Sequence, residues 1–131
     1  AQFRLAAGAS LAESLGLPAV PPAVGHGLLP APLRWAVEAR VCLAAPPRGP
    51  IAGYREPGGR GVRLEAAVHA GCTPSARYDP LLALVIGSGE TLELALARTA
   101  RAVGAYEVSG LETNLPLLRE VLRSTQLPTG R

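Results

Sequence analysis

The chain has 131 residues, nearly half of them apolar, and a formal net charge of +3, which fits about one domain with a modest core. So mild a charge, no block of basic residues and an aromatic content of 4% argue against nucleic acid as a partner. No apolar run reaches the roughly 18 residues of a membrane span, and the complete absence of lysine excludes a lysine-dependent phosphate loop or Schiff-base enzyme within this chain.

The opening AQFRLAAGASLAE lacks the long apolar centre of a signal peptide and reads as the middle of a larger protein. Residues 1–15 are predicted helical, with Phe3, Ala6, Ala7 and Leu11 near one face and Gly8 as a weak point. Residues 16–33 are rich in proline and glycine and read as a connector. Arg34 to Leu43 alternates as a strand, Trp35, Val37, Ala39, Val41 and Leu43 facing one way and Arg34, Glu38 and Arg40 the other. Prolines interrupt residues 44–50. Ile51 to Arg55 and Val62 to Ala70 then suggest a hairpin bent at Pro57-Gly58-Gly59, with Val62, Leu64, Ala66 and Val68 on one face and Arg63 and Glu65 on the other.

Pro80 to Ile86 is a continuous apolar run, read as a strand covered on both faces and ended by Gly87-Ser88-Gly89. Thr91 to Tyr106 follows as a helix with Leu92, Ala95, Leu96, Thr99 and Val103 on its buried stripe. Tyr106 to Glu112 suggests one more strand. Thr113 or Asn114 is expected to cap a last helix, with Pro116 in its first turn and Leu117, Leu118, Val121 and Leu122 as its apolar stripe. The predicted fold class is α+β, an antiparallel sheet with flanking helices.

Among candidate chemical groups Arg63 leads, because a planar fork of donors beside glycine-only backbone suits carboxylate, bicarbonate or phosphate oxygens. An ordinary surface arginine paired with Glu65 or Glu38 is the plain alternative. Glu38 and Arg40 suit a cross-strand ion pair. His69 and His26 lack a second ligand at metal spacing. Asp79, the only aspartate, sits where its carboxylate would bond turn backbone. Ser10, Ser75 and Ser88 lack a nucleophile-elbow pattern. Cys42 reads as a small core residue, and with Cys72 it shows no metal or redox spacing, which points to a reduced, cytoplasmic compartment.

Several segments together resemble the C-terminal domain of biotin carboxylase, the ATP-using component of biotin-dependent carboxylases. LRWAVEARV (33–41) is similar to the family strand ending Ile-Glu-Ala-Arg-Val, and YREPGGRGVRLE (54–65) to its proline-glycine hairpin ending Gly-Val-Arg. SARYDPLLALVIGSGET (75–91) resembles its Ser-Pro-Tyr-Tyr-Asp-Pro stretch, and GLETNLPLLREVL (110–122) its Gly-X-X-Thr-Asn segment and last helix. AQFRLAAGASL (1–11) looks like the helix leading out of the ATP-grasp domain. The chain departs from the pattern at Ala44-Ala45-Pro46-Pro47, in the shortened Arg48-Gly49-Pro50, at Arg77 and at Leu84, where a lysine is common.

The resemblance implies a division into a helix carried over from an ATP-grasp domain (1–15), the connector (16–33) and the C-terminal domain proper (34–131). It implies that Arg63, by motif position, holds bicarbonate and stabilises the biotin enolate in ATP-dependent carboxylation of biotin. The cofactors implied for the parent enzyme are biotin on a carrier, ATP, and Mg or Mn, none of them bound by this chain alone, which would be inactive by itself. The partners implied are the ATP-grasp domain, a biotin carboxyl carrier domain, a carboxyltransferase and a second copy of the parent as a homodimer. A non-catalytic scaffold or dimerisation remnant of the same fold is the other reading, and a free-standing anion-binding module a third.

Overall fold

The computed structural model describes residues 2–10, 13–14, 34–75 and 77–124. It divides into two compact units, Ala1–Ala31 and Pro32–Arg131. In the first, helix α1 (Gln2–Ala6) buries none of its residues, Phe3 included. The single helix expected over 1–15 is broken. Gly8 takes a φ of +90°, the left-handed conformation that closes helices. Ser10 and Glu13 then form a reciprocal capping box, with Ser10 N–H on Glu13 Oε2 at 2.9 Å and Glu13 N–H on Ser10 Oγ at 3.2 Å. The connector expected at 16–33 lies outside the described residues.

The second unit runs β1 (Trp35–Cys42), β2 (Gly53–Arg55), β3 (Val62–Ala66), β4 (Leu81–Gly89), α2 (Leu92–Ala105), β5 (Glu107–Ser109) and α3 (Leu115–Arg123). The strands form antiparallel sheets of order β1-β4-β3 and β2-β5. The predicted pairing of residues 51–55 with 62–70 is therefore wrong. The glycine turn instead carries the chain from one sheet to the other, and β3 stops at Ala66.

Alternation on β1 holds where the core is deepest: Ala39 and Val41 are buried, whereas Trp35 at the strand's start stays exposed. Ala83 and Val85 of β4 join them against Ala102 and Val103 of α2, Tyr106 and Leu115. Each fully buried valine there is worth roughly 1.5–3 kcal/mol over an exposed one. Leu84, Ile86 and Ser88 of β4, which point away from α2, are only half-buried, although Leu82 near the strand's start is fully buried, so the strand is not covered equally along both sides.

Gly87-Ser88-Gly89 does not end β4 as expected but continues it. A Cβ on Gly87 would stand 2.2 Å from Thr99 Oγ1, and one on Gly89 2.8 Å from the Ala95 nitrogen. The glycines let α2 lie directly on the sheet. Thr99, the buried polar residue of the interface, places Oγ1 3.1 Å from the Val37 carbonyl oxygen and 2.9 Å from that of Ala95. Its one proton thus ties the helix to β1 while its own turn shares the bond. Thr91 caps α2 by accepting from Leu94 N–H at 3.2 Å.

Asn114 precedes α3 but its side chain makes no cap bond. Oδ1 accepts from Cys42 N–H at 2.9 Å, and Nδ2 donates to the Arg40 carbonyl at 2.9 Å. The amide thereby imitates a short strand along the free edge of β1, reinforced by Asn114 N–H on the Cys42 carbonyl at 3.1 Å. Asn114→Ala is expected to lower the unfolding free energy by about 1–3 kcal/mol, since it strands a donor and an acceptor at once. Asn114→Asp restores only the acceptor and recovers part of the loss; denaturant midpoints measure both. In α3 itself Leu115, Leu118 and Leu122 pack inward, whereas Leu117 and Val121, expected on the apolar stripe, are exposed.

Candidate functional site

Arg63 stands on the sheet face opposite α2. Strand register aligns Glu38, Ile86 and Arg63 across β1, β4 and β3, and Arg40, Leu84 and Glu65 in the adjacent row. Directly paired residues share a face. The result is an apolar middle strand between two charged edge strands. In each row the outer charges are opposite and lie about two strand spacings, roughly 9.5 Å, apart.

Arg63 is about 70% exposed, and its Nε lies 3.3 Å from Glu65 Oε1. That is the local pairing the plain alternative foresaw. It occupies only the Nε edge of the guanidinium. Among the described residues nothing bonds the terminal nitrogens, so the planar fork points outward with its bidentate edge open.

Two positions of the glycine turn behind Arg63 need glycine. Gly59 and Gly61 have φ values of +119° and +74°, a region where a Cβ is costly. Val62 N–H donates to the Gly59 carbonyl at 3.1 Å as the chain enters β3. Beneath the turn, on α2, lie Arg98 and Arg101, which donate to the carbonyls of Ser88 and Gly58. Sequence reasoning missed this pair. Their three-residue spacing puts them on one helix face, but nothing local says what that face meets.

The other candidates are dispersed. Arg40 pairs at 3.7 Å with Asp79, in the turn before β4, rather than with a residue of a neighbouring strand. Asp79 Oδ1 also accepts from Leu81 N–H at 2.9 Å, the turn role expected of it. His69 lies beyond the end of β3, its Nδ1 2.8 Å from the Ala70 carbonyl oxygen, and so does not share the strand face of Arg63. His26 is outside the described residues. Cys42 is half-buried, not fully in the core. No group of three His, Cys, Asp or Glu side chains able to hold a metal occurs among the described residues. No helix among them is long and apolar enough to cross a membrane.

A concavity of about 630 Å³ lies on a different part of the unit, lined among others by Tyr54, Arg55, Glu107 and Arg119. Arg55 and Glu107 form a cross-strand ion pair there. Arg119 is spent on structure: Nε and Nη2 donate to the carbonyls of Val103 and Tyr106 at 3.3 and 2.9 Å, closing the end of α2. Tyr106 OH donates to Tyr54 OH, which donates to Glu56 Oε1, both at 3.1 Å. The two rings meet edge to face with centroids 5.7 Å apart.

Burial raises the pKa of both phenols above 10.0, and Tyr54 is held protonated further by the negative charge of its neighbours, that of Tyr106 once it ionises and that of the Glu56 carboxylate. The folded chain therefore keeps protons that the unfolded chain loses near pH 10. This contribution to stability is complete below about pH 10 and falls away as the pH climbs past it. Melting temperature is expected to drop steeply between about pH 9.5 and 11, and less steeply in Tyr54→Phe.

Comparison with known proteins gives this geometry its context. The biotin carboxylase C-terminal domain pattern matches residues 33–131. Biotin carboxylase 1 of Bacillus subtilis is 33% identical over 102 residues, 73% of this chain and 23% of that protein. The biotin-dependent acyl-coenzyme A carboxylase alpha3 subunit of Mycobacterium leprae is 39% identical over 82 residues, 63% of this chain and 14% of the subunit. Among solved structures, the biotin carboxylase domain of a single-chain bacterial carboxylase matches with a TM-score of 0.75 at 34% identity, covering 98% of this chain and 28% of that one. The biotin carboxylase domain dimer of Hydrogenobacter thermophilus 2-oxoglutarate carboxylase, in complex with MgADP, ADP and bicarbonate, matches with a TM-score of 0.69 at 32% identity, over 73% of this chain and 22% of that one. The chain spans less than a quarter of the length of the two curated relatives. A family pattern that runs from residue 33 to the last, on a three-stranded sheet backed by one helix, leaves one assignment: the chain belongs to the biotin carboxylase C-terminal domain family.

Proposed function

We propose that this chain completes the active site of a biotin carboxylase, with Arg63 as the catalytic and bicarbonate- and biotin-binding residue it supplies. The observation that carries the reading is the open terminal fork of Arg63, aimed away from the core and braced at Nε by Glu65. A guanidinium fixed in that way offers parallel donors to the oxygens of bicarbonate and to the ureido oxygen of biotin as negative charge grows on them. It transfers no proton, because arginine stays charged throughout. Its contribution is positioning and electrostatic stabilisation of ATP-dependent carboxylation of biotin.

The described residues offer no evident seat for a nucleotide's metal. The sequence contains no lysine and one aspartate, and the described residues bring no set of metal ligands together. We therefore assign ATP and its Mg or Mn to an ATP-grasp domain that partners this one. A biotin carboxyl carrier domain, a carboxyltransferase and a second copy of the whole enzyme complete the proposed assembly; the dimer of the Hydrogenobacter thermophilus domain supports the last. The deciding experiment is Arg63→Ala in a complete carboxylase polypeptide carrying this domain, assayed for carboxylation of free biotin. Loss of turnover in a folded variant supports the reading, and unchanged turnover sinks it.

A further inference from the structure

We infer that Arg98 is a positioning residue for Arg63, gripping the glycine turn from behind so that the guanidinium on β3 is held in one place. The inference rests on the reading of Arg63 as the active-site arginine. Gly61, two residues before Arg63, leaves room that Arg98 fills: a Cβ there would stand 2.6 Å from Arg98 Nη1 and 2.9 Å from its Cδ and Cζ. The same Nη1 donates to the Ser88 carbonyl. The Ser88 N–H donates to the Gly61 carbonyl at 2.8 Å, and Ser88 Oγ lies 3.4 Å from that oxygen. Ser88 is thus bonded to the turn through its N–H and to Arg98 through its carbonyl.

Arg101 extends the grip one helical turn further along. Its Nη1 reaches the Gly58 carbonyl at 3.4 Å, and its guanidinium nitrogens lie 3.2 Å from where a Gly59 Cβ would be. Neither arginine has a carboxylate partner among the described residues. Both spend donors on backbone carbonyls at or beside the turn. The helix that carries them is itself fixed to the sheet, by Thr99 on the Val37 carbonyl and by the closeness that Gly87 and Gly89 allow.

The mechanical consequence follows from register. β3 begins at Val62, opposite Gly87, and Arg63 is the next pair, opposite Ile86. A grip at Gly61 and Ser88 therefore acts at the very end of the ladder that aims Arg63. Without it, the glycines at 58, 59 and 61 leave the backbone between buried Pro57 and partly buried Val62 free to vary. Misplacing a charged donor by about 1 Å costs up to roughly 10²-fold in rate.

The test is a double-mutant cycle in the complete carboxylase polypeptide. Arg98→Gln is expected to lower kcat/KM for bicarbonate about 10- to 100-fold with KM for ATP unchanged. Arg98→Lys keeps the charge and one donor for the Ser88 carbonyl and should recover part of the activity. In an Arg63→Ala background, Arg98→Gln should cause no further loss. A merely structural Arg98 would lower activity by the same factor in both backgrounds, and that result overturns the inference. A crippled Arg63→Ala beside an unimpaired Arg98→Gln overturns the inference alone; an unimpaired Arg63→Ala overturns the reading beneath it as well. If Arg98→Gln does not fold, Arg98→Lys carries the same cycle.

Discussion

Arg63→Ala in a complete carboxylase polypeptide is expected to lower kcat for biotin carboxylation by about 10²–10³-fold while leaving the fold intact. The magnitude is that of removing one preorganised donor aimed at developing negative charge. Arg63→Lys should fall between the two, because an ammonium supplies the charge but not two parallel donors in a plane. Stability separates catalysis from scaffolding. The Arg63–Glu65 pair is mostly solvent-exposed on both sides, and pairs of that kind contribute at most about 1 kcal/mol. Melting temperature should therefore move by only a few degrees, roughly 4–8 °C at the upper limit for a domain of about 100 residues. Turnover unchanged in such a variant would leave Arg63 as a surface ion pair.

Gly87→Ala carries the largest expected effect on stability. Its Cβ would fall 2.2 Å from Thr99 Oγ1, 2.6 Å from the Thr99 nitrogen and 2.7 Å from the Ala95 carbonyl oxygen. Rotating the threonine away relieves only the first contact, because the other two are to helix backbone. The helix must lift from β4, loosening the bond from Thr99 to the Val37 carbonyl and the packing of Val85 and Val103. Overpacking typically costs about 1–3 kcal/mol; contacts with helix backbone put this case at the upper end, some 12–24 °C in melting temperature for a domain of this size. Thermal unfolding of the isolated variant measures it directly. Gly58→Ala is the control, since a Cβ there meets nothing within 4 Å; a Gly87→Ala variant as stable as that control would refute the close-packing account.

Much of the element pattern was legible because it is local. Alternation on Val62 to Ala66 placed Leu64 inward and Arg63 and Glu65 outward, and the apolar period of residues 91–106 gave α2 nearly to the residue. Pairing was not legible. Residues 51–55 and 62–70 look like a hairpin because they flank a proline-glycine turn, yet each strand finds a partner further along the chain, β5 for one and β4 for the other. The reason is the core: the long apolar strand β4 buries more by sitting between β1 and β3 than a short hairpin buries by itself.

Glycine and polar residues were the other source of error, for a related reason. Gly87-Ser88-Gly89 reads locally as a terminator, and only the helix lying on it shows that the missing side chains make room. Asn114 reads as a cap, but its amide finds better-matched partners on β1, 72 residues away in sequence. Arg98 and Arg101 read as an ordinary solvated helix face until the glycine turn is seen above them.

The sequence by itself determined the α+β class, that Arg63 stands on the polar face of a strand, and that the chain contains no lysine. These are properties of composition and of a two-residue period, both carried by neighbouring residues. Only the tertiary structure decided which strands pair, that the bidentate edge of Arg63 is open while Glu65 holds Nε, and that two arginines of α2 hold the turn leading to it. Those are contacts between distant segments, and side-chain periodicity carries no information about which segments will meet.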